Sequence, residues 1–198
     1  MTQPNIGIII STTREGRFGE RAARWVADLA ASRTDIKTEI VDLRDYPLPF
    51  FDAPASPAYV PIDTPEARKW AGKIAELDGY VFVTAEYNHA ISGVLKNALD
   101  YLFSEPNRKP AAFVGYGAVG GARAVEQLRL IAIELDIVPL KKAVHINMEP
   151  LLGLLREGKD FADFPYLAPT VVTMLDELVW YARTLKIGRD EARQQAAA

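Results

Sequence analysis

Ile6-Gly7-Ile8-Ile9-Ile10, followed by Ser11-Thr12-Thr13-Arg14-Glu15-Gly16-Arg17-Phe18-Gly19, decides how this chain is read. The first run is short, β-branched and uncharged, the composition of a strand buried on both faces of a parallel sheet. Beyond the polar loop, Glu20 to Ala31 carries apolar residues at Ala22, Val26, Leu29 and Ala30 with charges between them. That spacing predicts an amphipathic helix. A strand, a loop of hydroxyls and arginines, and a helix start together make an anion site. The first N–H groups of a helix lack intrahelical partners, and its dipole is positive at that end. Arg14 and Arg17 add charge-assisted donors in fork geometry. The loop lacks the lysine and hydroxyl pair of a nucleoside-triphosphate loop and the three glycines that seat a pyrophosphate. A single phosphate monoester fits it better. A polar turn with solvated arginines is the alternative.

Working outward, strand-like and helix-like segments alternate. Residues 36–43 read as a second strand and 79–84 as a third. Pro110 to Gly115 reads as a fourth strand and Ala143 to Asn147 as a fifth. Helices are predicted after Thr64-Pro65, where threonine caps and proline takes the first turn. Further helices are predicted over 92–103, 122–135 and 170–185. Residues 149–165 read as loop and short helix, and 190–198 as a polar, frayed tail. Residues 44–65 break the pattern: Pro47, Pro49, Pro54, Pro57, Pro61 and Pro65 exclude regular structure there. Phe50, Phe51 and Tyr59 argue that the stretch is an ordered excursion covering a pocket rim or a subunit contact. Val94, Leu95, Leu99 and Leu102 read as core, and Lys96 and Asp100 as a surface pair. Leu175, Leu178 and Val179 read as core too. The whole, residues 1–198, is read as a single α/β domain: a doubly wound five-stranded parallel sheet with helices on both faces. Ligands of such sheets bind beyond the carboxyl ends of the strands. Loops 11–19, 85–90 and 115–121 all lie there.

Composition narrows the function. The net charge of −3 offers a nucleic acid no bulk attraction. The absence of cysteine excludes disulfides, thiolate catalysis and cysteine-ligated metals. Two histidines, His89 and His145, are too few for a histidine metal site, so no metal is expected. Thr2-Gln3-Pro4-Asn5 does not resemble a signal peptide, and no run approaches the ~20 apolar residues of a membrane helix. A cytoplasmic protein without a membrane partner is expected.

Gly115-Tyr116-Gly117-Ala118-Val119-Gly120 matches a dinucleotide fingerprint but falls in the fourth strand unit, without an acidic residue ending the next strand. Close approach of glycine backbone to a flat ring is the other reading, and the better supported by location. Glu86-Tyr87-Asn88-His89 offers planar surfaces and amide groups. It reads equally as a helix-entry turn with a surface histidine.

Thr84-Ala85-Glu86-Tyr87-Asn88-His89-Ala90-Ile91-Ser92-Gly93-Val94-Leu95-Lys96-Asn97-Ala98-Leu99-Asp100 resembles the T-P-E-Y-N-x-S-x-x-G-x-L-K-N-A-L-D segment of the NADPH-dependent FMN reductases, a family with azoreductase, quinone reductase and chromate reductase members. The resemblance spans roughly residues 5 to 147 and implies a flavodoxin-like fold. It implies that Ser11, Thr13, Arg14, Arg17, Phe18 and Gly19 hold the FMN phosphate. Glu86, Tyr87, Asn88 and His89 would line the isoalloxazine ring, and Tyr116, Gly117, Gly120 and Gly121 its other edge. Two departures stand out: Ala85 replaces a proline, and Arg17 and Gly19 stand where many members have Ser-x-Asn. The resemblance further implies an oxidoreductase taking hydride from NADPH or NADH, in which FMN carries the chemistry and no catalytic side chain is required. The acceptor would be a quinone, azo, nitro, metal-oxyanion or flavin molecule. A homodimer or homotetramer is implied as well. A flavodoxin-like electron carrier without NAD(P)H activity is the main rival. A flavin-free binding protein and a dehydrogenase using loop 115–120 remain as further alternatives.

Overall fold

Side chains alternate across a strand, so a sheet covered on both faces needs apolar residues at every position. The central strands meet that demand. In the computed structural model, which describes residues 3–196, β1 (Asn5–Ile10), β3 (Gly79–Ala85) and β4 (Pro110–Tyr116) lie between two apolar layers. Ile6, Ile8, Ile10, Val81, Val83, Ala112 and Val114 pack on one face. Ile9, Tyr80, Phe82, Ala111 and Phe113 pack on the other. Each large aliphatic side chain buried this way contributes about 1.5–3 kcal/mol. The flanking strands are β2 (Lys37–Asp42) and β5 (Val138–Ile146). All five are parallel, in the order β2-β1-β3-β4-β5. This is the flavodoxin-like order, with its switch point between β1 and β3.

The helices are α1 (Gly19–Ala31), α2 (Pro65–Glu76), α3 (Gly93–Asp100), α4 (Ala122–Glu134), α5 (Met148–Arg156) and α6 (Leu167–Ala196). α1 buries Ala22, Ala23, Val26 and Ala30, one stripe at helical spacing, and shares its layer with α6. α2, α3 and α4 cover the opposite face. Thr64 caps α2 through a bond from Ala67 N (3.2 Å), with Pro65 in the first turn. Trp70 of α2 is fully buried and donates Nε1–H to Ala98 O at 2.7 Å, tying α2 to α3.

Two expectations change. β5 begins at Val138, five residues earlier than its apolar run. Pro139, Lys141 and Lys142 disguise its start, and an edge strand tolerates them because one side lacks a partner strand. The polar stretch from Asp190 is helical: α6 continues to Ala196, and residues 197–198 lie outside the described part. Arg189 anchors the helix just before that stretch. It is buried and donates to Asp78 Oδ1 at 2.9 Å and to Arg108 O at 2.8 Å, anchoring the helix beneath the sheet. Among the described residues no helix is long and apolar enough to cross a membrane.

Candidate functional site

The β1–α1, β3–α3 and β4–α4 loops meet at the carboxyl end of the sheet. Glu86 joins the second to the third: its carboxylate accepts from Arg123 N (3.2 Å) and from the Arg123 guanidinium. Glu86 thereby caps the first turn of α4, whose own N-cap, Gly121, has no side chain to do so. Ser92 joins the first loop to α3. Its hydroxyl donates to Ser11 O and accepts from Leu95 N at 3.2 Å, so one side chain both caps α3 and holds the loop.

Arg14 and Tyr87 stand at the centre. The guanidinium carbon lies 5.7 Å from the ring centroid, a cation–π contact. Two hollows share this pair. The larger, about 360 Å³, is walled by Thr12, Thr13, Leu48, Phe50, Val94 and Asn97. Its size is within the usual range for small-molecule sites. The smaller, about 170 Å³, is reached by Arg17, Phe18, Glu86, Tyr116, Gly117 and Leu151. At the base of the first loop Tyr116 Oη lies 3.3 Å from Thr12 Oγ1. Burial pushes the Tyr116 hydroxyl above its ordinary pKa, and the hydrogen bond to Thr12 offsets part of that. A Cβ on Gly19 would come within 2.8 Å of Tyr116 Oη, so the helix start must be glycine for this approach.

The expected residues are sorted by these contacts. Thr13, Arg14 and Tyr87 line the larger hollow; Arg14, Arg17, Phe18, Glu86, Tyr87, Tyr116 and Gly117 reach the smaller. Ser11 does not come to either. It is fully buried, its N–H bonds Val83 O (3.1 Å) and its carbonyl takes the Ser92 hydroxyl, because it still continues the β1 ladder. Arg17 is also buried. Its guanidinium forks onto Asp42, with Nη1–Oδ1 at 2.7 Å, and Nη1 reaches Thr12 O. The Asp42 contact raises the Arg17 pKa further. Burial acts to raise Asp42, but its bonds from Arg17 and from Arg44 N hold it below its ordinary value. Asn88 and His89, at φ 51 and 67, form the exposed tip of a tight turn closed by paired Tyr87 and Ala90 bonds of 2.9 and 3.0 Å. His89 presents its carbonyl to Gln127 (2.8 Å). Gly120 and Gly121 are buried turn residues at φ 65 and 68. A Cβ on Gly121 would meet Tyr116 N at 2.6 Å. His145 lies 2.9 Å from Gly120 O through Nδ1; since a carbonyl only accepts, Nδ1 carries the hydrogen.

Sequence reasoning did not name Thr12, Leu48, Val94 or Asn97 as wall residues, while Phe50 lies on the excursion expected at a pocket rim or a subunit contact. Val94, read as core, is 39% exposed and faces the larger hollow. Leu48 and Phe50 reach it from the proline-rich excursion. Asn97 holds that excursion in place: Oδ1 accepts from Phe51 N (2.9 Å) and Nδ2 donates to Pro49 O (2.7 Å). A polar amide on the apolar side of α3 was the signal available for it.

The residues suit a phosphorylated planar ligand. α1 starts at Phe18 without a side-chain cap, leaving its first N–H groups for an anion. Arg17 Nε is buried with no partner among the described residues. Thr12, Thr13 and Arg14 add donors, and Tyr87 a flat face. The family model for NADPH-dependent FMN reductases matches residues 4–150. The chain belongs to this family. It is therefore an oxidoreductase whose cofactor is FMN and whose electron donor is NAD(P)H. An NAD(P)H-dependent FMN reductase of Schizosaccharomyces pombe is 36% identical over 153 residues, covering 75% of this chain and 76% of that protein. A 2-hydroxy-1,4-benzoquinone reductase of a Burkholderia species is 37% identical over 142 residues, 67% of this chain and 72% of that protein. The solved flavoenzyme NAD(P)H:acceptor oxidoreductase FerB of Paracoccus denitrificans superimposes with a TM-score of 0.68 at 20% identity, covering 91% of this chain and 98% of that one. At that identity it speaks for the fold alone.

Proposed function

We propose that the cleft seats FMN with its phosphate on the β1–α1 loop and its ring beside Tyr87 and Gly117, and that the protein delivers two electrons from NADPH or NADH to a small flat acceptor. The observation that carries this reading is the meeting of Thr12, Thr13 and Arg14 with the Tyr87 ring at the larger hollow, while Phe18, at the uncapped start of α1, lines the smaller hollow that shares Arg14 and Tyr87. The redox chemistry itself, hydride uptake from nicotinamide and two-electron delivery, belongs to FMN when bound. The side chains bind and orient. Arg14 and the loop N–H groups neutralise the phosphate. Leu48, Phe50 and Val94 keep water from the larger hollow and favour a flat, unsaturated acceptor. Quinones come first, supported by the Burkholderia relative; azo, nitro, metal-oxyanion and flavin acceptors follow. No side chain is assigned a step as acid, base or nucleophile.

A homodimer or homotetramer completes the proposal. Phe50, Tyr59 and Val60 are 85%, 86% and 53% exposed on the excursion that forms the cleft wall. Apolar groups so exposed favour contact with a second copy.

The test is spectroscopic. Protein loaded with FMN and desalted is expected to hold its yellow colour, to bleach on anaerobic addition of NADPH, and to oxidise NADPH steadily once a benzoquinone is supplied. Retained colour that NADPH does not bleach would make it an electron carrier. Failure to retain FMN would remove the cofactor site.

A further inference from the structure

The β1–α1 turn is gripped from one side. The strand order puts β2 on one flank of this turn and β3, with Tyr87 beyond it, on the other. Arg17 Nη1 donates to Thr12 O. Arg44, just past the end of β2, donates from Nε to Thr13 O at 3.1 Å and from Nη2 to Arg14 O. Asp42, the last residue of β2, ties the two arginines together. Its Oδ1 accepts from Arg17 Nη1 at 2.7 Å and from Arg44 N at 2.9 Å. Three consecutive carbonyls, those of Thr12, Thr13 and Arg14, thus face two guanidiniums on the β2 flank. In a planar trans peptide the C=O of one residue and the N–H of the next point in opposite directions. The N–H groups of Thr13, Arg14 and Glu15 are therefore turned away from those guanidiniums, on a turn whose Thr12, Thr13 and Arg14 border the larger hollow. Successive N–H groups aimed into one concavity make an anion-binding nest.

We infer that Arg17 and Arg44 are positioning residues: by holding the carbonyls of Thr12, Thr13 and Arg14 from the β2 side, they present the N–H groups of Thr13, Arg14 and Glu15 to a phosphate monoester in the cleft. The inference rests on the FMN reading of that cleft. It gives Asp42 a part as well. An acid at the end of the second strand serves a ribose in dinucleotide folds; here it serves the arginines that shape the turn.

Apoprotein of the full chain, titrated with FMN and with riboflavin while flavin fluorescence is followed, tests this. Riboflavin shares the ring and lacks the phosphate. Wild type is expected to bind FMN more tightly than riboflavin. Arg44→Ala is expected to weaken FMN about tenfold, the worth of one charge-assisted hydrogen bond, while riboflavin changes by less than about twofold and the melting temperature holds. Arg44→Lys, which lacks the planar fork, is expected to restore only part of the loss. Arg17→Ala strands the Asp42 carboxylate and can unfold the chain, so the double variant Arg17→Ala/Asp42→Ala stands in for it, with the same FMN-selective loss expected. FMN affinity within about twofold of wild type in both the Arg44→Ala and the double variant overturns the inference alone. Equal losses for FMN and riboflavin overturn it too, because they mark a general structural role. Wild type that binds FMN no better than riboflavin removes the phosphate reading itself, and the inference with it.

Discussion

The two ends of the sheet both concentrate charge, and they use it differently. At the amino end Asp78 accepts from Asn5 N (3.0 Å), Lys186 Nζ (2.8 Å) and Arg189 Nη2 (2.9 Å). Beside it Lys109, 3% exposed, donates to Ile74 O and Ala75 O at 2.8 and 2.9 Å, the last carbonyls of α2. These groups are answered by the chain itself. At the carboxyl end Arg17 is answered by Asp42, but α1 starts uncapped, and Arg14 lies exposed over Tyr87. Buried polar groups that find partners hold a fold; donors left aimed into a hollow are kept for a ligand. The same arginine chemistry thus ties the scaffold at one end and lines a cleft at the other.

That contrast can be broken by mutation. The largest effect is expected at the amino end. Asp78→Ala leaves Arg189 buried without its carboxylate, and loss of about 3–5 kcal/mol is expected in urea unfolding, against an FMN affinity that stays near wild type in folded protein. An equal fall in FMN binding would show that the two ends are not separable. At the carboxyl end the pattern reverses. Arg14→Ala is expected to cost about 1.5–3 kcal/mol of FMN binding, measured by fluorescence titration, with unfolding shifted by no more than about 0.5 kcal/mol. An unchanged dissociation constant would take Arg14 out of the phosphate site.

The smallest effect sharpens the amino end. Burial, with Arg189 nearby, pushes Lys109 down to about 8. An unfolded lysine titrates near 10.4. Between those values the unfolded chain binds more protons than the folded one, so stability rises with pH across that window. Wild type is expected to gain about 2–4 °C in melting temperature relative to Lys109→Met between pH 7.5 and 9.5. The scan stops there because Tyr80, whose hydroxyl is pushed far up by burial, acts in the opposite sense at higher pH. A pH-independent difference between the two proteins would mean that Lys109 keeps its proton throughout.

Much of the fold was legible because its signals are local. The runs at β1, β3 and β4 could only be strands covered on both faces, and Thr64-Pro65 could only start a helix. β5 was read short because an edge strand is free to carry Lys141 and Lys142. The long-range tie of α6 through Arg189 was not legible because its partner, Asp78, lies 111 residues away. The site was legible as a meeting of three loops and less so as a set of contacts. Arg14 and Tyr87 line both hollows. Ser11 and Arg17 have buried side chains, with Arg17 still reaching the smaller hollow, and Val94, read as core, faces the larger one.

The sequence by itself determined the parallel α/β class through hydrophobic period, and the family, with the flavodoxin-like order it implies, through short motifs. Only the tertiary structure decided which loop groups are free and which are taken. That choice depends on partners brought together from distant segments: Asp42 for Arg17, Arg123 for Glu86, Asn97 for the 48–51 wall. A hydrogen bond consumes a donor wherever in the chain its acceptor comes from, and the order of residues does not record that.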